Sequence, residues 1–371
     1  MTLATTLESG QWQNFSIPHP FCLLGEQLHL LGMGSVQLAS NLRLQVQSAP
    51  GQQRFRLVFS VAGFELGAAA CRAAERWRQA VADVPFPEAI ALADTELRLH
   101  FEPSLASVPI PALLSCPAVA AALAVTALGR QAQMIPFSEQ QAVECACQLL
   151  GNVRPGGENP RRFIADITMC LTGGASYIGP EGDAVNVQRL LPPMSLILAL
   201  APEPAEDFKG GRRDETALQA LSLILKKKHN ILQEGDAGFA ELFDTADGML
   251  DERQIAVLYG LMRLRQMTET FLEHVGGAPL DNDRLAEFCD EESAILTDYF
   301  DFPARSFEDI RHKSVEAGAL GCKLTWALGG HPAALIIAPG RREQVRQELS
   351  EAFEEVRFTP LDIEATGLKW E

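Results

Sequence analysis

The sequence predicts an α+β protein of two lobes, on three observations. Its 371 residues exceed the size at which a single hydrophobic core keeps growing, so two domains are the natural division. Strand-like and helix-like stretches are segregated rather than strictly alternating, which argues against a doubly wound parallel sheet. Finally, Ala201 to Phe208 holds two prolines and three acids, a break in composition that separates an N-terminal lobe, residues 1–204, from a C-terminal lobe, residues 205–371.

The elements follow from periodicity. From Phe15 to Val61, apolar runs and alternations such as Leu42 to Val46 and Phe55 to Phe59, broken by Gly and Pro, predict strands. Leu66 to Val84 reads as an amphipathic helix and Leu97 to Phe101 as a strand. Cys116 to Leu128 is Ala-rich and apolar almost all round, the pattern of a buried helix. Ser138, followed by Glu139 and Gln140, starts a helix that runs to about Leu150 and ends at Gly151. Past the Pro155-Gly156-Gly157 loop, a short helix near Phe163 to Leu171 leads through Gly173-Gly174 into strands around Tyr177, Val185 to Val187 and Leu196 to Leu200. The second lobe opens with helices over Asp214 to Leu232, Gln254 to Val275, Asn282 to Tyr299 and Ser306 to Ala317. It closes with strand, strand, helix and strand at Cys322 to Ala327, Ala333 to Ile337, Arg341 to Phe353 and Val356 to Asp362.

Hydrophobic residues make up 47% of the chain and charged residues 21%, a composition typical of globular proteins. The formal net charge of -17 repels phosphate backbones and anionic lipid heads, so neither nucleic acid nor a membrane surface is expected as partner. Met1 to Gln13 lacks a basic segment followed by an apolar one, and a cytoplasmic location is expected. Lys226-Lys227-Lys228 ends an apolar-periodic segment and reads as a solvated helix terminus. The eight cysteines, mostly among apolar neighbours, read as reduced, buried thiols. Cys145 and Cys147 do not share a helix face and have no Cys/His pair at zinc spacing, which argues against a metal there.

Four stretches bear on chemistry. Ala317-Gly318-Ala319-Leu320-Gly321-Cys322-Lys323-Leu324-Thr325 is followed by a turn containing Trp326, Leu328, Gly329, Gly330 and His331. Pro18-His19-Pro20-Phe21-Cys22-Leu23-Leu24-Gly25-Glu26-Gln27-Leu28-His29 lies on an early strand and turn. Val108-Pro109-Ile110-Pro111-Ala112-Leu113-Leu114-Ser115-Cys116-Pro117-Ala118 leads directly into the Ala-rich helix. Phe163-Ile164-Ala165-Asp166-Ile167 holds a lone acid in an apolar segment. By itself Asp166 could accept the proton of an attacking hydroxyl, pair with Arg161 or Arg162, or cap a helix.

Together these stretches resemble the signature motifs of the GHMP kinases, in the layout of their galactokinase-like members, over nearly the whole chain. Asp290 to Ile310 resembles the two helices that precede the last motif, and Gly210 to Glu215 resembles the opening of the helical lobe. The resemblance implies a two-lobed GHMP kinase fold: an N-terminal mixed α/β lobe with a left-handed crossover, and a C-terminal ferredoxin-like helical α+β lobe. It implies phosphoryl transfer from ATP to a sugar hydroxyl, with Mg²⁺ as cofactor and a small molecule as partner. Asp166 falls at the position of the catalytic base, and Gly25, Glu26 and Tyr177 on the substrate side. Leu113, Leu114, Ser115, Cys116, Gly329 and Gly330 fall on the nucleotide side, and Ser115 is the implied magnesium ligand.

The functional positions are the least faithful part of the match. Pro20 stands where the pattern has an arginine that would stabilise charge on the transferred group. Gln27 and His29 replace a histidine and an aspartate. Glycines admit phosphate to backbone N–H groups at a helix start; Pro111 and Leu113 replace two of them. Cys116 and Pro117 replace two of three serines, while Trp326 and Leu328 replace two glycines of the last turn. The alternative reading is therefore a catalytically inactive GHMP pseudokinase acting as a ligand-binding or regulatory protein.

Overall fold

The run Phe15 to Leu24 has almost no polar face, and in the computed structural model it forms a strand buried along nearly its whole length. The structure describes residues 13–28, 33–50, 55–61, 64–65, 68–83, 95–131, 138–153, 163–179, 182–192, 194–200, 250–277, 280–300, 304–327 and 331–370. The helix expected over Asp214 to Leu232, the Lys226 to Lys228 run, Gly210 to Glu215 and the boundary stretch Ala201 to Phe208 lie outside the described residues.

The first part of the chain supplies β1 (Gln13–Leu24), β2 (Ser35–Pro50), β3 (Arg56–Val61), β4 (Phe64–Glu65), α1 (Ala68–Asp83), β5 (Thr95–Phe101), α2 (Ile110–Leu114), α3 (Pro117–Gln131), α4 (Glu139–Val153), α5 (Ile164–Thr172), β6 (Ala175–Ile178), β7 (Ala184–Asn186) and β8 (Leu196–Leu200). The second supplies α6 (Glu252–Gly277), α7 (Asn282–Phe300), α8 (Ala304–Glu316), β9 (Gly321–Ala327), β10 (His331–Ile337), α9 (Arg342–Ala352), β11 (Arg357–Leu361) and β12 (Lys369–Trp370). These spans agree closely with those read from periodicity. The helix expected to stop at Gly151 continues to Val153, with Leu149, Leu150 and Val153 all buried. Their burial outweighs the roughly 1 kcal/mol that an interior glycine costs a helix.

Among the described residues there are two sheets. The larger is eight-stranded and mixed, in the order β12-β1-β2-β5-β3-β4, with β6 on β2 and β7 on β6. Only β3 and β5 pair in parallel. β2 is long enough to pair with β6 through Ser35 to Leu38 and with β5 through Gln45 to Pro50. Pro18 and Pro20, which cannot donate to a ladder, sit at a register shift between β1 and β2, while β12 reaches only Phe15 and Ser16 on the other side of β1. Proline is tolerated at such a break. The Ala-rich α3 packs against α4, α5 and β1 and is buried on all sides. The apolar window Ala112–Gly129 is long enough by composition to cross a membrane, but 89% of it is buried inside the protein, so it serves as core.

The smaller sheet is four-stranded and antiparallel, in the order β11-β8-β10-β9. Its chain order, β8, helices, β9, β10, α9, β11, is the split βαβ arrangement of ferredoxin-like lobes. β8, which precedes residue 204, therefore pairs in the sheet built otherwise from residues 321–361, while β12 returns to the first sheet. The chain crosses between sheets in both directions.

The C-terminal tail locks α5 in place. Leu368 N–H donates to the Leu171 carbonyl at 3.1 Å and Gly174 N–H to the Glu364 carbonyl at 2.7 Å. Arg43 donates to the Thr366 and Gly367 carbonyls and pairs with Glu364 at 3.7 Å. Gly173 ends α5 at φ +75°, and a Cβ on it would lie 2.3 Å from the Gly367 nitrogen. Only glycine meets both demands. The tail thereby fixes the helix that carries Asp166.

Candidate active site

The strand β1 ends at a turn that glycine makes feasible. Gly25 has φ +86°, a Cβ there would lie 3.1 Å from the Ser35 Cα, and Leu28 N–H closes the turn on the Gly25 carbonyl at 3.1 Å. This turn buries Glu26, whose backbone N–H donates to Glu292 Oε1 at 2.7 Å. Its Oε2 accepts from Lys323 Nζ at 3.1 Å and from Thr325 Oγ1 at 2.8 Å. Lys323 also donates to the Cys22 carbonyl at 2.7 Å and stands 3.5 Å from Glu292 Oε2. That second distance is an ion pair without hydrogen-bond geometry, since Glu292 Oε2 has no hydrogen-bond partner among the described residues. Burial opposes charge on Lys323, but the pull of Glu292 and Glu26 outweighs it and holds the ammonium's pKa above the usual range. Burial pushes Glu292 up to about 7 despite Lys323. Ser293 steadies this corner by accepting the Leu324 N–H at 2.9 Å.

Asp166 lies in the first turn of α5, half-buried. Burial, and after it the negative charge of Asp166, holds the thiols of Cys147 and Cys170 in their protonated form; on Cys22 burial, Lys323, Glu26 and Glu292 all act more strongly than Asp166. Cys22 is also within reach of the Lys323 and Glu26 charges. The helix that carries Asp166 packs on β1, the strand whose end leads into the Glu26 turn. Tyr177, on β6, is paired opposite Val36. Its ring covers Gly34, where a Cβ would lie 2.6 Å from the phenol oxygen. Burial raises its phenol pKa, opposed by a hydrogen bond with the Gly34 backbone.

The segment ahead of α3 is helical. Ile110–Leu114 forms α2, with Leu113 and Leu114 directed into the core at 1% and 2% exposure. Backbone N–H groups are consumed locally: Leu113 on Pro109, Ser115 on Ala112 and Cys116 on Leu113, at 3.1, 3.2 and 3.4 Å. Pro111 and Pro117 have none to offer. The buried Trp77 indole donates to the Leu114 carbonyl at 2.7 Å and ties α2 to α1. The Ser115 hydroxyl, half-buried, is 3.4 Å from the Ala112 carbonyl. Beside it is a cavity of about 50 Å³ lined by Arg72, Ala73, Arg76, Trp77, Leu114, Ser115 and Val153.

In the last motif, Trp326 and Ala327 extend β9, paired opposite Pro332 and His331. Leu328, Gly329 and Gly330 lie outside the described residues, as does the side chain of Trp326. The structure places Gly25 and Glu26 in the turn after β1, Asp166 in the first turn of α5, which packs on β1, and Leu113 to Cys116 ahead of α3. Lys323, Thr325 and Glu292 carry no role that the motifs alone assign. A signal was present in β9, where Lys323 sits between Cys322 and Leu324; a lysine buried in a strand demands carboxylate partners.

No family model and no curated protein sequence matches the chain. Solved structures do. The galactokinase of Lactococcus lactis, solved with galactose, superposes with TM-score 0.70 at 13% identity, over 98% of this chain and 96% of that one. The mevalonate kinase of Methanococcus jannaschii gives 0.61 at 10% identity, over 96% and 100%. The mevalonate diphosphate decarboxylase of Staphylococcus aureus gives 0.55 at 13% identity, over 99% and 100%. The chain has the two-lobed GHMP kinase fold. A fold shared by kinases and a decarboxylase leaves the reaction to be argued from the site.

Proposed function

We infer that this chain is a small-molecule kinase of galactokinase-like type, transferring a phosphoryl group to the hydroxyl of a sugar or similar compound. The observation that carries this reading is a buried Glu26 cluster in the turn after β1, with Asp166 in the first turn of a helix that packs on the same strand. Asp166, half-buried at the start of α5, accepts the proton of the attacking hydroxyl. Glu26, held through Oε2 by Lys323 and Thr325, has Oε1 left to receive an acceptor hydroxyl and orient it. ATP, when bound, supplies the phosphoryl group. The backbone at 112–116 does not fit it as a glycine loop would, because its N–H groups are spent on local carbonyls. The residues beside it fit better: Ser115, the candidate magnesium ligand, lines a cavity together with Arg72 and Arg76. Tyr177, and Gly329 and Gly330 of the last motif, are assigned to the proposed acceptor and nucleotide sides.

The pseudokinase reading is favoured by the same spent N–H groups and by Pro20, which brings neither charge nor donor to the end of β1. Titration of ATP with Mg²⁺, with and without galactose, separates the two. Binding in the micromolar to millimolar range, with sugar-dependent ADP release lost in Asp166→Asn, supports the kinase. Absence of nucleotide binding overturns it.

A further inference from the structure

We propose that Arg72 and Arg76 form an anion site for the phosphate chain of a nucleoside triphosphate, taking over the role that backbone N–H groups at 112–116 have given up. The inference rests on the nucleotide-binding part of the proposed function. The two arginines stand at i and i+4 on α1, so they share a helix face. Both are exposed, both line the cavity beside Ser115, and no described acid lies within ion-pair distance of either. Glu75, the acid between them, is instead 3.0 Å from Arg78. In a chain with 48 acidic and 31 basic residues, two adjacent guanidinium groups without carboxylate partners among the described residues leave a local positive field over an acidic surface.

The cavity itself is suited to one end of such a ligand. Its volume of about 50 Å³ is several times the roughly 10–15 Å³ that one ordered water requires, enough for a phosphate group. Its walls, Ala73, Trp77, Leu114 and Val153, are apolar, which strengthens a charge-assisted bond relative to open solvent. The wall is also fixed, because the Trp77 indole is pinned to the Leu114 carbonyl. Guanidinium forks match phosphate oxygens in a bidentate fashion and tolerate a helical backbone, whereas a glycine cradle requires a loop. The replacement of glycines by Pro111 and Leu113 and the placing of two arginines against the same segment are thus one rearrangement of the way phosphate is held.

The test is titration calorimetry of the full chain with ATP, adenosine and inorganic triphosphate, each against the wild type, Arg72→Ala with Arg76→Ala, and Arg72→Glu with Arg76→Glu. Removing each charge-assisted hydrogen bond should weaken binding about tenfold, so the double alanine variant is expected to bind ATP and triphosphate about 100-fold more weakly, with adenosine unaffected. Both arginines are exposed, and unchanged thermal melting confirms that the variants fold. If ATP binds the wild type and both variants equally, the arginine site is overturned while the kinase reading stands. If triphosphate binds in an arginine-dependent way and ATP does not bind, the arginines hold a free polyanion only, and both the nucleotide site and the kinase reading are overturned. If neither ATP nor triphosphate binds the wild type, both are overturned.

Discussion

Lys323 Nζ lies 3.1 Å from Glu26 Oε2 and 3.5 Å from Glu292 Oε2, with the three side chains at most 9% exposed. One ammonium therefore serves two carboxylates, one from the end of β1 and one from α7, and ties the larger sheet to the smaller one through β9. Removing charges from water is expensive, and the cluster is tolerable because Thr325, the Cys22 carbonyl and the Glu26 N–H add hydrogen bonds to the ion pairs.

Lys323→Met should be strongly destabilising, because it leaves two buried carboxylates without a counter-charge. A loss of about 3–5 kcal/mol is expected in urea unfolding, the range for breaking one partner of a buried pair. Adding Glu26→Gln and Glu292→Gln to this variant should recover part of the loss. A loss below about 1 kcal/mol in the single variant, the range of exposed pairs, would contradict the role assigned to Lys323.

Glu292 gives the protein a specific pH dependence. Its folded pKa of about 7 exceeds the ordinary 4.5, so between these values the folded state keeps a proton that the unfolded chain has released. Its contribution is complete below about 4.5 and declines as pH rises through about 7, by up to about 1.4 kcal/mol per pH unit. His19 acts in the opposite sense, since burial lowers it from 6.5 to about 3: it opposes folding progressively as pH falls through that interval. Urea midpoints of wild type and Glu292→Gln between pH 4.5 and 7 separate the two. The wild type should lose stability relative to the variant as pH rises, and parallel profiles would refute the assignment.

Asp166→Asn should leave the fold intact and remove the chemistry. A general base contributes about 10²–10⁴-fold, so sugar-dependent ADP release should fall by at least 100-fold. Melting should shift little, since a carboxylate in the first turn of a helix adds only about 0.3–1 kcal/mol. Equal turnover in wild type and variant would exclude Asp166 as the base.

Gly367→Ala tests the tail lock. A Cβ there would lie 2.1 Å from the Leu171 carbonyl oxygen, a backbone clash that no rotamer change relieves. A loss of more than about 2 kcal/mol is expected, as for overpacking against a rigid neighbour, with faster amide exchange at the end of α5 and in the tail. An unchanged melting temperature would show that the tail docks more loosely than the structure has it.

Much of the fold was legible in the sequence because helix and strand periodicities are local. The stretch after Pro117, apolar almost all round, became the buried α3; Leu196–Leu200 and Ala333–Ile337, apolar throughout, became paired interior strands. In the candidate site the legible part was equally local. Pro111 and Leu113, where the resembled motif has glycines, announced that this segment is not a glycine loop.

Other features depend on residues far apart in the chain. Glu26 reads as a turn acid in isolation, yet its partner Lys323 is 297 positions away. Ile110–Leu114 is anchored through the Leu114 carbonyl by Trp77 of another helix, 37 positions away. By itself the sequence determined the order and kind of the described elements, since these follow from neighbouring residues. Tertiary structure alone decided which charges are buried together, which N–H groups are spent and which residues line the cavity beside Ser115. Desolvation and Coulomb energy depend on distance in space, and distance in sequence does not supply it.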